Sequence, residues 1–219
     1  PLKMPDLSYG ASGKSSVSDY VKVNVQDKAL CPRYMAAAVT DVKIAPSPEY
    51  IRRRLKAVGI RPICNLVDIT NYVLTEIGQP MHAFDMRDIE GAKIDVRRAG
   101  DGEKIVALDG KEYTLNGDIL VISDAVKACA IAGVMGGENS GIREDTAAVI
   151  FESAKFARDS VRRTSRGLGL RSDSSARYEK GVDSSLQEIG VRRALHLVQE
   201  LGCGVIAQGI IDVADGQAE

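Results

Sequence analysis

The chain of 219 residues carries Lys+Arg 29 against Asp+Glu 30, with 44% hydrophobic and 27% charged residues, the balance of an ordinary globular protein with enough length for one large domain or two small ones. A net charge of −1 excludes a global basic field, so any nucleic-acid contact must use a local patch, and neither DNA nor a membrane is an expected partner; no apolar run is long enough to span a bilayer. The four cysteines, Cys31, Cys64, Cys129 and Cys203, form no C-x-x-C pair, which removes the zinc-site and dithiol-redox readings and leaves buried, reduced thiols of a cytoplasmic protein as the expectation.

Residues 1–19 are rich in Gly and Ser and are expected as a linker or frayed end. They lack the charged-then-apolar pattern of a signal peptide, and the proline start suggests a fragment cut from a longer chain. Alternation in YVKVNV (20–25) and the run YMAAAVTDVKI (34–44) predict two strands. SPEYIRRRLKAVG (47–59) predicts a helix with Ser47 at its N-cap, Pro48 in its first turn and Gly59 at its stop; CNLVDITNYVLTEIG (64–78) predicts a second, ended by Gly78. The short connection through Arg61 and Pro62 makes them an antiparallel pair. KIDVRRA (93–99) is a strand candidate, and Asp109-Gly110 between two short extended runs predicts a hairpin over 105–115. The apolar runs 119–123, 128–137 and 147–154 predict strands buried on both faces. A short basic helix (157–169), a long helix (184–202) and a closing strand (205–213) complete the chain. Helices and strands fall in blocks, so the fold class is α+β: a sheet or sandwich-like core of mostly buried strands flanked by helices. One domain is expected over 20–213, with a tail over 214–219.

Each candidate site has a structural alternative. GASGKSS (10–16) has its glycines too close together for a P-loop, and no strand precedes it. AGVMGGENSG (132–141) is either a tight turn or a pocket wall in which Gly136 and Gly137 let a flat ligand lie against the backbone. Glu152, among apolar strand residues, is a structural ion pair, a strand end dipping into water, or an acceptor at the base of a pocket. His82, one of two histidines, is a catalytic, pocket-lining or ordinary loop residue beyond the helix stop; His196, inside the last helix, is given no chemistry. Arg162, Arg163, Arg166, Arg171 and Arg177 form either a phosphate-binding stripe or a solvated, salt-bridged loop. Two histidines far apart argue against a His-based metal centre.

GIRPICNLVDITNYVLTEIGQPMHAFD (59–85) resembles the β subunit of bacterial phenylalanyl-tRNA synthetase, and AGVMGGENSGI (132–142), VIFESAKF (149–156) and GLRSDSSARYEKGVD (169–183) agree with that family in order and spacing. The resemblance implies an editing region that hydrolyses tyrosine mistakenly joined to the phenylalanine tRNA. It implies tRNA(Phe), the tyrosyl moiety and the α subunit of a heterotetramer as partners. Aminoacylation, with its ATP and Mg, then belongs to a site in the α subunit, and no cofactor or metal is expected in this segment. Residue by residue, Glu152 matches the acceptor of the tyrosine hydroxyl and His82 the editing-site histidine of the P-M-H motif. Asn71 and Arg61 match polar lining residues, and Gly136 the glycine that leaves room for the ring. Ser172 stands where threonine is usual. Ser174 stands where alanine is usual, a departure that adds a polar atom to the wall. The alternative is a tRNA-binding or structural module of that subunit, without activity when isolated.

The physical reason for such a site is that an apolar phenylalanine pocket cannot strongly reject an isostere that merely adds a hydroxyl. A second site must therefore read the hydroxyl. A buried acceptor pairs with a phenol and loses about 1–3 kcal/mol when a bare ring leaves it unpaired.

Overall fold

The computed structural model describes residues 4–214. In chain order these form α1 (Val17–Tyr20), β1 (Lys22–Val25), β2 (Arg33–Thr40), α2 (Glu49–Ala57), α3 (Asn65–Ile77), β3 (Met81–Asp85), β4 (Lys93–Arg98), β5 (Lys104–Val106), β6 (Glu112–Thr114), β7 (Leu120–Ser123), β8 (Ala128–Ile131), β9 (Met135–Gly136), β10 (Val149–Lys155), α4 (Arg158–Gly167), α5 (Asp173–Tyr178), α6 (Leu186–Leu201), β11 (Val205–Ile206) and β12 (Ile211–Ala214). The fold is α+β, as the segregated blocks of the sequence require. One sheet runs β1-β4-β7-β8-β9; a second runs β11-β2-β10-β3, with β12 also on β2; β5 and β6 form a separate hairpin.

Alternation along β2, β3 and β10 builds the layers. Tyr34, Ala36, Ala38, Phe84, Ile150 and Ala154 join Ile94, Val96, Ile122 and Ile131 of the first sheet in one apolar cluster. Their in-between neighbours Met35, Ala37, Val39, Ala83, Val149 and Phe151 join Ile51, Leu55, Leu66, Ile69, Val73, Val191 and Leu195 of α2, α3 and α6 in another. The second sheet is therefore covered on both faces, by a sheet and by helices. That is why its central strands read as continuous apolar runs. Burying a Leu, Ile or Phe side chain of this kind contributes roughly 1.5–3 kcal/mol each.

Local differences from the sequence reading have physical causes. Pro48, not Ser47, is the N-cap of α2. The Ser47 hydroxyl instead donates to Asp68 Oδ2 at 2.6 Å, tying the start of α2 to the first turn of α3. Gly78 ends α3 at φ 84°, but the chain then enters β3, so His82 lies on a strand and not in a loop. The expected closing strand is split at Gly209, with φ 75°, into β11 and β12. Within the Arg- and Ser-rich 162–183 stretch Ser172 caps an additional helix, α5, through a reciprocal bond with Ser175.

The described part of the expected linker is docked. Gly10 N–H donates to Gln199 Oε1 at 2.6 Å, Arg193 Nη1 donates to the Asp6 carbonyl at 3.1 Å, and His196 Nδ1 lies 2.6 Å from the Ser8 carbonyl. A Cβ at Gly13 would stand 2.9 Å from the Ile206 carbonyl oxygen, so here glycine serves close approach of two backbones. Residues 1–3 and 215–219, the rest of the expected end and tail, lie outside the described residues.

Candidate active site

Strands β3 and β10 pair antiparallel with His82 directly opposite Glu152, followed by Phe84 opposite Ile150. Directly opposed residues share a sheet face, so both side chains point toward the first sheet. There they line a cavity of about 290 Å³ between the layers. Thr70, Asn71 and Leu74 of α3 form one wall, Ile122, Ala130 and Ile131 another, and Gly133–Gly136 with Ser172, Asp173, Ser174 and Tyr178 a third; Leu108 of the β5–β6 hairpin stands at the edge.

Glu152 is 5% exposed and sits mid-strand. The ion-pair and strand-end alternatives therefore give way: its Oε2 accepts a hydrogen bond from Tyr34 Oη at 2.8 Å, and no salt bridge is made to it among the described residues. Burial raises its carboxyl from the usual range to about 7, against a smaller downward pull from the Tyr34 hydrogen bond. His82 packs edge-on to Phe84 with ring centroids 4.5 Å apart. Its Nε2 is buried without a hydrogen-bond partner among the described residues. Burial lowers its imidazolium to about 4. At neutral pH the two opposed residues are a neutral imidazole and a carboxyl near the middle of its titration, not an ion pair.

Gly136 is required by this histidine. An added Cβ would lie 2.6 Å from His82 Cε1 and 3.0 Å from Leu108 Cδ1, so the space that the glycine leaves is filled by the imidazole and the leucine. Gly137 has a separate cause. Its N–H donates to the Cys129 carbonyl at 2.7 Å, a Cβ there would stand 2.6 Å from that oxygen, and it does not line the cavity. Ser172 and Ser174 reach the opposite side of the glycine loop, donating to the Val134 carbonyl at 2.5 Å and the Gly133 carbonyl at 3.2 Å. The hydroxyl that Ser174 adds is thus bonded to backbone at the wall.

Asn71 lines the cavity. Arg61 is exposed in the connection between α2 and α3 and is not part of the lining. Arg162, Arg163 and Arg166 are exposed on α4, and Arg171 is exposed in the link to α5. The sequence reading missed Tyr34, Thr70, Leu108, Met135 and Tyr178. Of these, only Tyr34 left a signal, as the one large polar side chain on a strand face otherwise made of alanines. Among the described residues no group of three or more His, Cys, Asp and Glu is placed to hold a metal ion, and no helix is long and apolar enough to cross a membrane.

Comparison with known proteins shows the family of the chain. The phenylalanine–tRNA ligase beta subunit of Clostridium acetobutylicum is 48% identical over 213 residues, covering 97% of this chain and 27% of that protein. That of Syntrophus aciditrophicus is 46% identical over 212 residues, covering 97% and 26%. The chain thus spans about a quarter of the length of the curated relatives it matches. An N-terminal fragment of the phenylalanyl-tRNA synthetase beta subunit from Pyrococcus horikoshii has a similar fold, with a TM-score of 0.56 and 14% identity over 89% of this chain and 55% of that one. The B3/4 domain model matches residues 30–203, most of the chain and all of the cavity's lining: the protein belongs to the B3/4 domain family.

Proposed function

We propose that this chain is the editing segment of a phenylalanyl-tRNA synthetase β subunit and that its cavity hydrolyses the ester of tyrosine misattached to tRNA(Phe). The observation that carries the reading is the opposed pair His82 and Glu152 on β3 and β10, both lining one cavity. Water adds across the ester: its hydroxyl goes to the carbonyl carbon and its proton to the departing ribose oxygen, giving free tyrosine and tRNA. Glu152 accepts the phenol, with Oε1 open because Oε2 is already bonded to Tyr34. One lost hydrogen bond of about 1–3 kcal/mol corresponds to roughly 5- to 150-fold preference for the tyrosyl over the phenylalanyl ester.

His82 works as a neutral hydrogen-bonding group that positions water or the ester. An imidazole held at about 4 is too weak a base to remove a proton from water efficiently at neutral pH. The terminal ribose hydroxyl of the tRNA is the candidate for activating that water. In the assembled enzyme the α subunit carries aminoacylation.

A second reading, a tRNA-binding module without activity of its own, is favoured by one observation: Arg162, Arg163, Arg166 and Arg171 are all exposed and none forms an ion pair among the described residues. The deciding experiment is deacylation of Tyr-tRNA(Phe) and Phe-tRNA(Phe) by this chain, with and without an α subunit. Faster loss of tyrosine supports editing; tRNA binding with neither ester cleaved in either assembly supports the module.

A further inference from the structure

The carboxyl of Glu152 is used unevenly. Tyr34 Oη donates to Oε2 at 2.8 Å, while Oε1 receives no hydrogen bond among the described residues and Glu152 lines the cavity. Tyr34 does not line it and is 0% exposed. The phenol reaches Glu152 diagonally across β2 and β10, because Ala36 stands opposite Glu152 and Ala154 opposite Tyr34. Two alanines at those positions leave the ring its space, and diagonal neighbours lie within reach of an aromatic side chain.

We infer that Tyr34 is a positioning residue for the discriminating carboxyl: its phenol holds Oε2 so that Oε1 faces the cavity, and one glutamate is shared between a permanent phenol from the protein and a transient one from the ligand. Naming that ligand as a tyrosyl group rests on the proposed deacylation; the Tyr34–Glu152 pair does not. A phenylalanyl ligand then leaves one oxygen unpaired rather than two, so the ratio between the two esters is set by a single hydrogen bond. The same phenol favours the ionised carboxyl, the stronger acceptor, and its bond opposes the effect of burial.

The titratable groups around Glu152 are few. Tyr34 comes from β2, His82 from β3, Tyr178 from α5 and Cys31 from the approach to β2, with Cys129 of β8 beside Tyr34. Burial raises both phenols and both thiols, keeping them protonated at neutral pH, and His82 is already neutral. Asp173 is an exposed carboxyl at the cavity wall. Among the buried groups, Glu152 alone changes charge near pH 7.

The test is Tyr34→Phe, which removes one oxygen and keeps the ring, made in this chain alone and on a Glu152→Gln background. Two readouts apply: the carbon-13 NMR titration of the Glu152 carboxyl, and the ratio of Tyr-tRNA(Phe) to Phe-tRNA(Phe) kcat/KM from pH 6 to 9. The expected result is an upward displacement of the Glu152 midpoint by about one unit. With it comes a loss of about fivefold in the ratio at pH 7, where the ionised fraction of the carboxyl falls from about one half to about one tenth. That loss recovers toward pH 9 and is absent on the Gln background. An unmoved midpoint overturns the inference, as does a loss that is equal at every pH and persists on the Gln background, which marks simple packing. If the unsubstituted chain cleaves neither ester with or without an α subunit, the deacylation reading falls, and the NMR titration still decides for or against Tyr34.

Discussion

Glu152→Gln isolates the cost of a buried acid. The native carboxyl titrates at about 7 against an ordinary 4.5, so the folded protein binds its proton more tightly than the unfolded chain does. The resulting stability is fully present below pH 4.5 and is lost as pH rises through 7. About 2.5 pH units at 1.36 kcal/mol each gives on the order of 3 kcal/mol. A glutamine fills the same volume, still accepts from Tyr34 and does not titrate. Relative to the unsubstituted protein, the variant is therefore expected to gain about 3 kcal/mol between pH 4.5 and pH 8, with nearly all of the gain between pH 5 and 7.5. The opposite contribution of His82, lowered to about 4 from 6.5, is present above pH 6.5 and lost as pH falls toward 4; it occurs in both proteins and cancels in the difference. Urea unfolding at several pH values measures that difference directly. Parallel stability profiles for the two proteins would refute the reasoning, because they require Glu152 to titrate alike folded and unfolded.

Other substitutions probe the remaining parts of the site. Gly136→Ala places a methyl 2.6 Å from His82 Cε1; it is expected to lower stability by about 1–3 kcal/mol and to displace the imidazole, seen as a changed His82 ring resonance. An unchanged resonance would remove His82 as the reason for the glycine. His82→Ala is expected to slow cleavage of the tyrosyl ester by roughly 10- to 100-fold while leaving its preference over the phenylalanyl ester, since positioning and discrimination reside on different side chains; loss of preference with unchanged rate would reverse those roles. Changing Arg162, Arg163, Arg166 and Arg171 together to Ala is expected to weaken tRNA binding and to flatten its salt dependence in proportion to the phosphate contacts removed. A salt slope that stays the same places the tRNA elsewhere.

Period, punctuation and turn chemistry carried most of the fold. The stop at Gly78, the Asp109-Gly110 hairpin and the apolar runs that form β2 and β10 are local properties, and local properties can be read from spacing. What spacing does not contain is register. That Glu152 faces His82, and that Tyr34 reaches Glu152 diagonally, follow from pairing strands about 70 and 118 positions apart in the chain. The loop alternative for His82 arises because β3 begins within three residues of the α3 stop, and Pro80 there reads as a turn while also leading into a strand. The N-terminal stretch is the reverse case: its glycines and serines have linker composition, yet Gly10 and Gly13 donate backbone N–H groups to α6 and β11. Arg61 has a motif match but stands outside the lining. A match reports sequence order, whereas membership of a cavity depends on where a connection travels.

The opposed histidine and glutamate show why burial, rather than proximity, governs this site. On an exposed sheet such a cross-strand pair would attract and contribute a few tenths of a kcal/mol or more. Here each charge would have to leave water, and the desolvation of both ions outweighs their attraction unless the geometry supplies further hydrogen bonds. None is supplied to His82 Nε2 among the described residues, and Glu152 takes its hydrogen bond from a neutral phenol. The cheaper state sets a neutral imidazole beside a carboxyl that is about half protonated at pH 7. That state also keeps both available, because a ligand need not first break a buried ion pair to reach either one. A carboxyl held near neutrality changes its accepting strength over the pH range in which a cell works, while the imidazole opposite remains uncharged throughout it. If the proposed editing function holds, discrimination by this cavity is expected to vary with pH through Glu152.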